Sequence, residues 1–183
     1  MTDIVLNKDK QLSTIGLLIA MASIVMLFGT FVSSFYVLKI RLISELYLPN
    51  SIIHIGWFNT FILLGTSISF TFAGKKYRQN NTNGFDLLMT VTITGGLFFI
   101  LGQFYLWSEL TRVGFPITSG QLLDMFYLIS GVHGIHILSG LGALIWLQLS
   151  ERESYSYSRI HHVGIFWHFL GFLWVVLFAA ILY

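Results

Sequence analysis

The chain contains no cysteine, only two prolines, and Asp, Glu, Lys and Arg at just 10% of its 183 residues. Without cysteine there is no disulfide framework, no thiolate nucleophile and no Cys-ligated metal or cluster, and the redox compartment is left open. The scarcity of charge excludes more, because an ordinary soluble domain devotes roughly a quarter of its residues to charge. The net charge of +2 is small and evenly spread. That excludes the concentrated basic face a nucleic-acid partner requires. Both prolines, Pro49 and Pro116, fall in connections where they stop the preceding structure.

What is abundant is apolar surface: 55% of residues are hydrophobic and the mean hydropathy is +0.77. Charged residues bound five runs: Lys10 to Lys39, Glu45 to Lys75, Asp86 to Glu109, Asp124 to Glu151, and Arg159 to Tyr183. Each exceeds the roughly 20 residues that carry a helix across about 30 Å of hydrocarbon. A chain this short has too few polar faces to cover them all as soluble core helices. The fold class expected is therefore all-α, a polytopic transmembrane bundle of five helices at about 12–38, 52–73, 85–107, 119–149 and 160–183, in one integral membrane domain, 1–183. The first run is too long for a signal peptide's apolar part and lacks a small-residue cleavage pattern, so it reads as a retained helix. With the N-terminus inside, the inner segments hold Lys8, Lys10, Lys75, Lys76, Arg78, Arg152 and Arg159, and the outer ones Lys39, Arg41 and Arg112. That asymmetry favours N-in and C-out.

Local signals set the expected boundaries. Thr2 to Gln11 reads as a polar N-tail. Asn50 or Ser51 is placed to cap the second helix after Pro49, and Lys75 to Gly84 reads as a solvated turn. Gly114 and Pro116 break the chain before the fourth helix, where Thr118 and Gln121 have capping-box spacing and Asp124 falls in the dipole-favoured first turn. Glu151 to Ser158 reads as the last inner turn. Gly95, Gly96 and Gly102, then Ser130, Gly131, Gly134, Ser139 and Gly140, recur at helical spacings. Small residues let helix backbones approach in lipid, so helices three to five are expected to pack tightly. No inverted repeat or interrupted helix pair of the transporter type is present.

His133 and His136 share one face of the fourth helix, and His168 lies about eight residues into the fifth. Ionisable groups inside a membrane are costly and face protein or a polar cavity, so each implies a specific contact. Haem ligation by two imidazoles is one reading. From the inner helix ends, however, His168 lies at roughly 12 Å, His136 at roughly 21 Å and His133 at roughly 26 Å, and these depths do not coincide. The other reading is hydrogen bonding between helices, or toward lipid and a partner subunit. A di-metal carboxylate site would need Glu-x-x-His pairs, and no helix has one. Glu109 and Arg112 are one turn apart beside Tyr105 and Trp107, either an interfacial ion pair in an aromatic belt or a holder for a lipid phosphate. His161 and His162, near Arg159, meet headgroups or shuttle protons at the inner surface. No Ser-His-Asp set, phosphate-cradling glycine loop or intramembrane carboxylate pair is visible, so no independent active site is expected.

The segment Phe126-Tyr127-Leu128-Ile129-Ser130-Gly131-Val132-His133-Gly134-Ile135-His136, followed by Gly140, resembles the penultimate-helix signature of subunit III of haem-copper terminal oxidases. Phe166-Trp167-His168-Phe169, then Trp174, is similar to the last-helix signature of that family. Asn59-Thr60 with Leu63-Leu64, and Gly102-Gln103 leading to Trp107 and Glu109, fit it as well. The resemblance spans all five helices. It departs at Ile24 and Gly171, where many members carry an acid, so no role of those acids transfers here. Five helices instead of seven resemble the bacterial form lacking the first two.

The resemblance implies a non-catalytic subunit of a proton-translocating oxidoreductase of the cytochrome c oxidase type, in the bacterial cytoplasmic (inner) membrane. It implies direct contact with subunit I, association with subunit II and membrane lipids, and, more distantly, with other respiratory complexes. No haem, copper or other metal would be held by this chain; haem and copper would reside in the partner subunits. Its own roles would be phospholipid binding, protection of the catalytic subunit and support of proton uptake. Asn59, Glu109, Arg112, His133, His136, Trp167 and His168 become candidates for lipid binding or polar contacts between helices. The alternatives are an accessory subunit of a quinol oxidase or nitric oxide reductase, or a small membrane cytochrome with His136 and His168 on its haem.

Overall fold

The computed structural model describes the backbone over residues 2–42, 49–117, 120–150 and 157–182. Five helices account for nearly all of it: α1 (Thr2–Leu42), α2 (Asn50–Arg78), α3 (Thr82–Arg112), α4 (Gln121–Leu149) and α5 (Tyr157–Leu182). All five are long and apolar enough to cross a membrane. The helices are longer than the apolar runs because capping chemistry, not hydrophobicity, ends them. Thr2 to Gln11, expected as a tail, continues α1. The turn expected over Lys75 to Gly84 shrinks to residues 79–81. There α2 closes with Asn80 at φ +54, Asn80 N–H donating to Tyr77 O and Asn81 N–H to Lys76 O. This is the paired closure of a Schellman motif. Asn81 then turns round and caps α3, its Oδ1 accepting from Gly84 N–H at 2.9 Å.

The far end of α3 repeats the device with Gly114 at φ +94, Gly114 N–H bonding Thr111 O and Phe115 N–H bonding Leu110 O. Pro49 holds the N-cap position of α2 and no side chain caps there, so neither Asn50 nor Ser51 serves as expected; the Pro49 carbonyl instead accepts from Ile52 N–H at 2.9 Å. Gly120 is the N-cap of α4, and Asp124 does lie in the first turn. Thr118 and Ser119, Glu45, and residues 151–156 of the last inner turn lie outside the described residues; α5 begins at Tyr157.

The tightest pair is α2 with α3, not the α3–α5 set expected from the small residues. Gly95 and Gly102 are the reason. A Cβ at Gly95 would lie 2.4 Å from Thr66 Cγ2, and one at Gly102 would lie 2.1 Å from Asn59 Oδ1. Across α2 and α5, Gly56 seats the Phe178 ring and Gly164 the Phe70 ring, while Gly96 and Gly140 admit Trp167. Gly134 and Ser139 are not used in this way: Gly134 has nothing within 4 Å and Ser139 is exposed. The peripheral helix is α1, which among the described residues packs on α4 and α5 alone, where Phe28 and Phe35 are buried and Thr14 Oγ1 lies 2.9 Å from His162 Nε2. Outward faces carry Met26, Phe58, Phe61, Phe98, Ile135 and Phe172, each more than 60% exposed. A lipid environment covers such a surface; water does not.

Candidate functional site

Three tryptophans join the helices by one repeated contact. In each case a hydroxyl first donates to a carbonyl of its own helix and then accepts an indole N–H from a neighbour. Thr60 donates to Gly56 O and accepts from Trp174 Nε1 at 3.0 Å. Thr66 donates to Leu63 O and accepts from Trp167 Nε1 at 3.2 Å. Ser130 donates to Phe126 O and accepts from Trp107 Nε1 at 3.1 Å. In hydrocarbon no water can complete a polar group, so each contact satisfies an indole donor and a hydroxyl proton together. Thr60 and Thr66 are six residues apart on α2, and Trp174 and Trp167 seven apart on the antiparallel α5. That matched spacing was the sequence signal for Thr66, which the motifs do not contain.

At the level of the Thr60–Trp174 pair lies a buried polar layer. His133 on α4 has no exposed surface; its ring stacks on Trp174 at 5.1 Å and meets the edges of Phe28 and Phe99. Among the described residues neither of its nitrogens has a hydrogen-bond partner. Asn59 Nδ2 and both polar atoms of Gln103 are likewise buried and unpartnered. Each such group costs about 1–3 kcal/mol. The pairing of Asn59 with Gly102 puts Gln103 and Asn59 at one depth, and Trp107 bonding Ser130 brings His133 to within about a turn of Gln103.

The expected site residues therefore divide. Asn59, His133 and Trp167 enter the core. His136 faces α1: its Nδ1 lies 2.8 Å from Val132 O, a contact that requires the proton on Nδ1, and its ring meets Phe28. His168 faces α2, with Nε2 3.4 Å from Thr71 Oγ1 and its ring edge-on to Phe70. His136 and His168 are thus directed at different helices, and the geometry does not bring them together as a ligand pair. Glu109 and Arg112 do pair, at 2.6 Å, with the arginine side chain 77% exposed and the glutamate 13%. Among the described residues no three His, Cys, Asp or Glu side chains gather.

Grooves open sideways between the helices. One of about 400 Å³ between α3 and α4 has Gln103, Trp107, Tyr127 and Gly131 in its wall. Another of about 570 Å³ between α2 and α3 is lined by His54, Asn59, Gly102 and Tyr105 among others. Their walls are almost wholly apolar, as suits acyl chains.

A family model described as Cytochrome c oxidase subunit III matches residues 7–183. The chain is similar to proteins named cytochrome c oxidase subunit 3 from Thermostichus vulcanus, Synechocystis and Rattus norvegicus. The first is 24% identical over 183 residues, 96% of this chain and 89% of that protein. The second is 28% identical over 128 residues, 67% of this chain and 54% of that protein. The third is 29% identical over 138 residues, 73% of this chain and 51% of that protein. The chain thus spans about half the length of the Synechocystis and rat proteins.

Proposed function

The chain belongs to the cytochrome c oxidase subunit III family, and from that premise we propose that it is a non-catalytic, multi-pass membrane subunit of a respiratory haem-copper oxidase. In this reading it lies N-in and C-out in a bacterial cytoplasmic membrane, directly against subunit I and associated with subunit II. Haem and copper, and with them oxygen reduction, belong to the partners. Its own contribution is to steady the catalytic subunit, hold phospholipid and support proton uptake. The observation that carries the reading is the family match over 7–183. The geometry supports a scaffolding role for the motif residues: Thr60 and Trp174 bond each other, Trp167 bonds Thr66, and His133 is stacked on Trp174. For lipid, the support is the apolar α3–α4 groove together with Arg112 at the same end of α3.

Deletion of the chain tests this. The remaining complex is expected to keep its haem spectrum while turnover decays sooner or assembly falls, and mass spectrometry of material purified through this chain is expected to find subunits I and II. Loss of bound haem caused by point substitution of His136 or His168 would refute the reading. Purification without any oxidase subunit would refute it equally.

A further inference from the structure

The start of α3 carries the chain's one Asn-Gly pair, Asn83-Gly84. Such a pair is chemically labile, because glycine has no side chain to shield its amide nitrogen from the neighbouring asparagine. Once deprotonated, the Gly84 nitrogen can attack Asn83 Cγ. The new N–C bond closes a five-membered succinimide, and the Cγ–Nδ2 bond breaks to release ammonia. Water then opens the ring at either carbonyl. Opening at Cγ leaves an ordinary aspartate at position 83; opening at the main-chain carbon leaves isoaspartate, with one extra carbon in the backbone. Residues 78–83 are all exposed, so water and base reach the pair.

The folded chain withholds both reacting groups. Asn81 is the N-cap of α3, which makes Gly84 the third helical residue. Its N–H is therefore among the donors with no carbonyl to reach inside the helix. It donates instead to Asn81 Oδ1 at 2.9 Å, and that bond holds the proton whose loss creates the nucleophile. Asn83 meanwhile has helical backbone, and its Cγ reaches Gly84 N only if ψ at Asn83 turns out of the helical range. The first turn must open before the ring can close. Glycine also serves the cap: a Cβ at Gly84 would lie 3.1 Å from Asn81 Oδ1 and 3.2 Å from its Cγ, inside the ordinary contact distance of about 3.5 Å. The residue that admits the capping side chain thus creates the labile pair.

We propose that Asn83-Gly84 is a latent deamidation site, kept closed by the Asn81 cap and released when the first turn of α3 opens. Either product places a carboxylate on the turn that follows Lys75, Lys76 and Arg78. Aspartate suits its position, since negative charge is favoured at a helix N-terminus. Isoaspartate does not, because the added backbone carbon displaces Gly84 from Asn81 and removes the cap. The next residue, Phe85, is only 4% exposed and packs its ring 5.5 Å from that of Tyr77 on α2. The modification therefore strikes where the tightest helix pair of the bundle is joined. It depends on the fold of this turn alone, so it stands or falls separately from the subunit reading.

The test incubates the full chain, with whatever subunits accompany it, in native membranes at mildly alkaline pH. Residues 79–85, released by cleavage after Arg78 and before Asp86, are followed by mass spectrometry for deamidation. Asn81→Ala should deamidate about fivefold faster than wild type, the factor by which loss of a typical N-cap raises the open population. Asn81→Ser, which caps equally well, should match wild type. Unfolded in urea, all three chains should react at one rate. Folded alanine and serine variants that react alike, or folded wild type that reacts as fast as unfolded, would overturn the proposal. Hydrogen exchange at Gly84, resolved by electron-transfer fragmentation, decides without any variant if the alanine chain fails to accumulate. Ring closure needs the same bond to open as exchange does, so folding should slow deamidation at least as much as it slows exchange. Deamidation less protected than exchange overturns the assignment of the cap as the lock.

Discussion

Replacing Gly102 by alanine tests whether the α2–α3 contact is set by backbone approach. The added Cβ would lie 2.1 Å from Asn59 Oδ1, 2.8 Å from Cγ and 3.0 Å from Nδ2. Ordinary carbon contacts begin near 3.5 Å, so the amide must retreat by about 1.4 Å. Asn59 is only 1% exposed, and overpacking a filled core costs about 1–3 kcal/mol. Alanine also gains about 0.8–1.0 kcal/mol of helix propensity over glycine, so the same substitution at an open site is the proper reference. Gly65 and Gly134 have nothing within 4 Å. Reversible unfolding in mixed micelles with rising SDS is therefore expected to rank Gly102→Ala below Gly65→Ala and Gly134→Ala by about 1–3 kcal/mol. Adding Asn59→Ala should recover most of that difference, a coupling read by a double-mutant cycle. If Gly102→Ala behaves like the open-site alanines, or if Asn59→Ala gives no recovery, close approach is not what glycine supplies.

Trp174→Phe removes the donor to Thr60 and should destabilise by about 0.6–1.7 kcal/mol beyond its packing loss; Trp57→Phe, at an indole 43% exposed, should be near neutral in the same SDS titration. Arg112→Gln breaks an ion pair whose cation is largely in solvent, so the unfolding midpoint should stay unchanged while lipid retained at that end, measured by mass spectrometry, falls. Thr14→Val removes the α1 to α5 contact at His162; protease cleavage within α1 of the detergent-solubilised chain should quicken, with α2–α5 still protected.

The five spans were legible because charge punctuates the apolar runs, and their ends were not because hydrophobicity does not end a helix. Asn81 and Gly114 do so, by a side-chain cap and by a positive φ. The burial of His133 was legible from its place in an apolar run. Its surroundings were not, since Phe28, Phe99 and Trp174 come from three other helices whose relative rotation no single run encodes. His136 meets Phe28 of α1 and His168 meets Thr71 of α2, a difference in helix face that a depth estimate along the axis does not address. Gln103 entered the sequence reading only as part of a motif; that both its polar atoms are buried without partners among the described residues follows from the closeness of α3 to its neighbours. The small residues announced tight packing but not the partner, and Gly95 and Gly102 turned out to face α2.

Those two glycines also bear on why the core keeps polar side chains that cost stability. Lipid offers no hydrophobic penalty for sliding one apolar helix along another, so register must come from shape and from polar contacts. Asn59 sits on Gly102 and Thr66 on Gly95, two contacts seven residues apart on each antiparallel helix. A slip of one turn, about 5.4 Å, would set Phe98 and Val91, or Leu106 and Phe99, against Asn59 and Thr66. Neither alternative leaves room for the threonine or the amide. It would also carry Thr60 and Thr66 away from Trp174 and Trp167 if α2 moved, stranding two indole donors in hydrocarbon at about 1–3 kcal/mol each. The unpartnered atoms of Asn59 and Gln103 therefore belong to an arrangement whose competitors are worse. A scaffold that must present one fixed face to a larger neighbour gains more from excluding those competitors than from a uniformly greasy core.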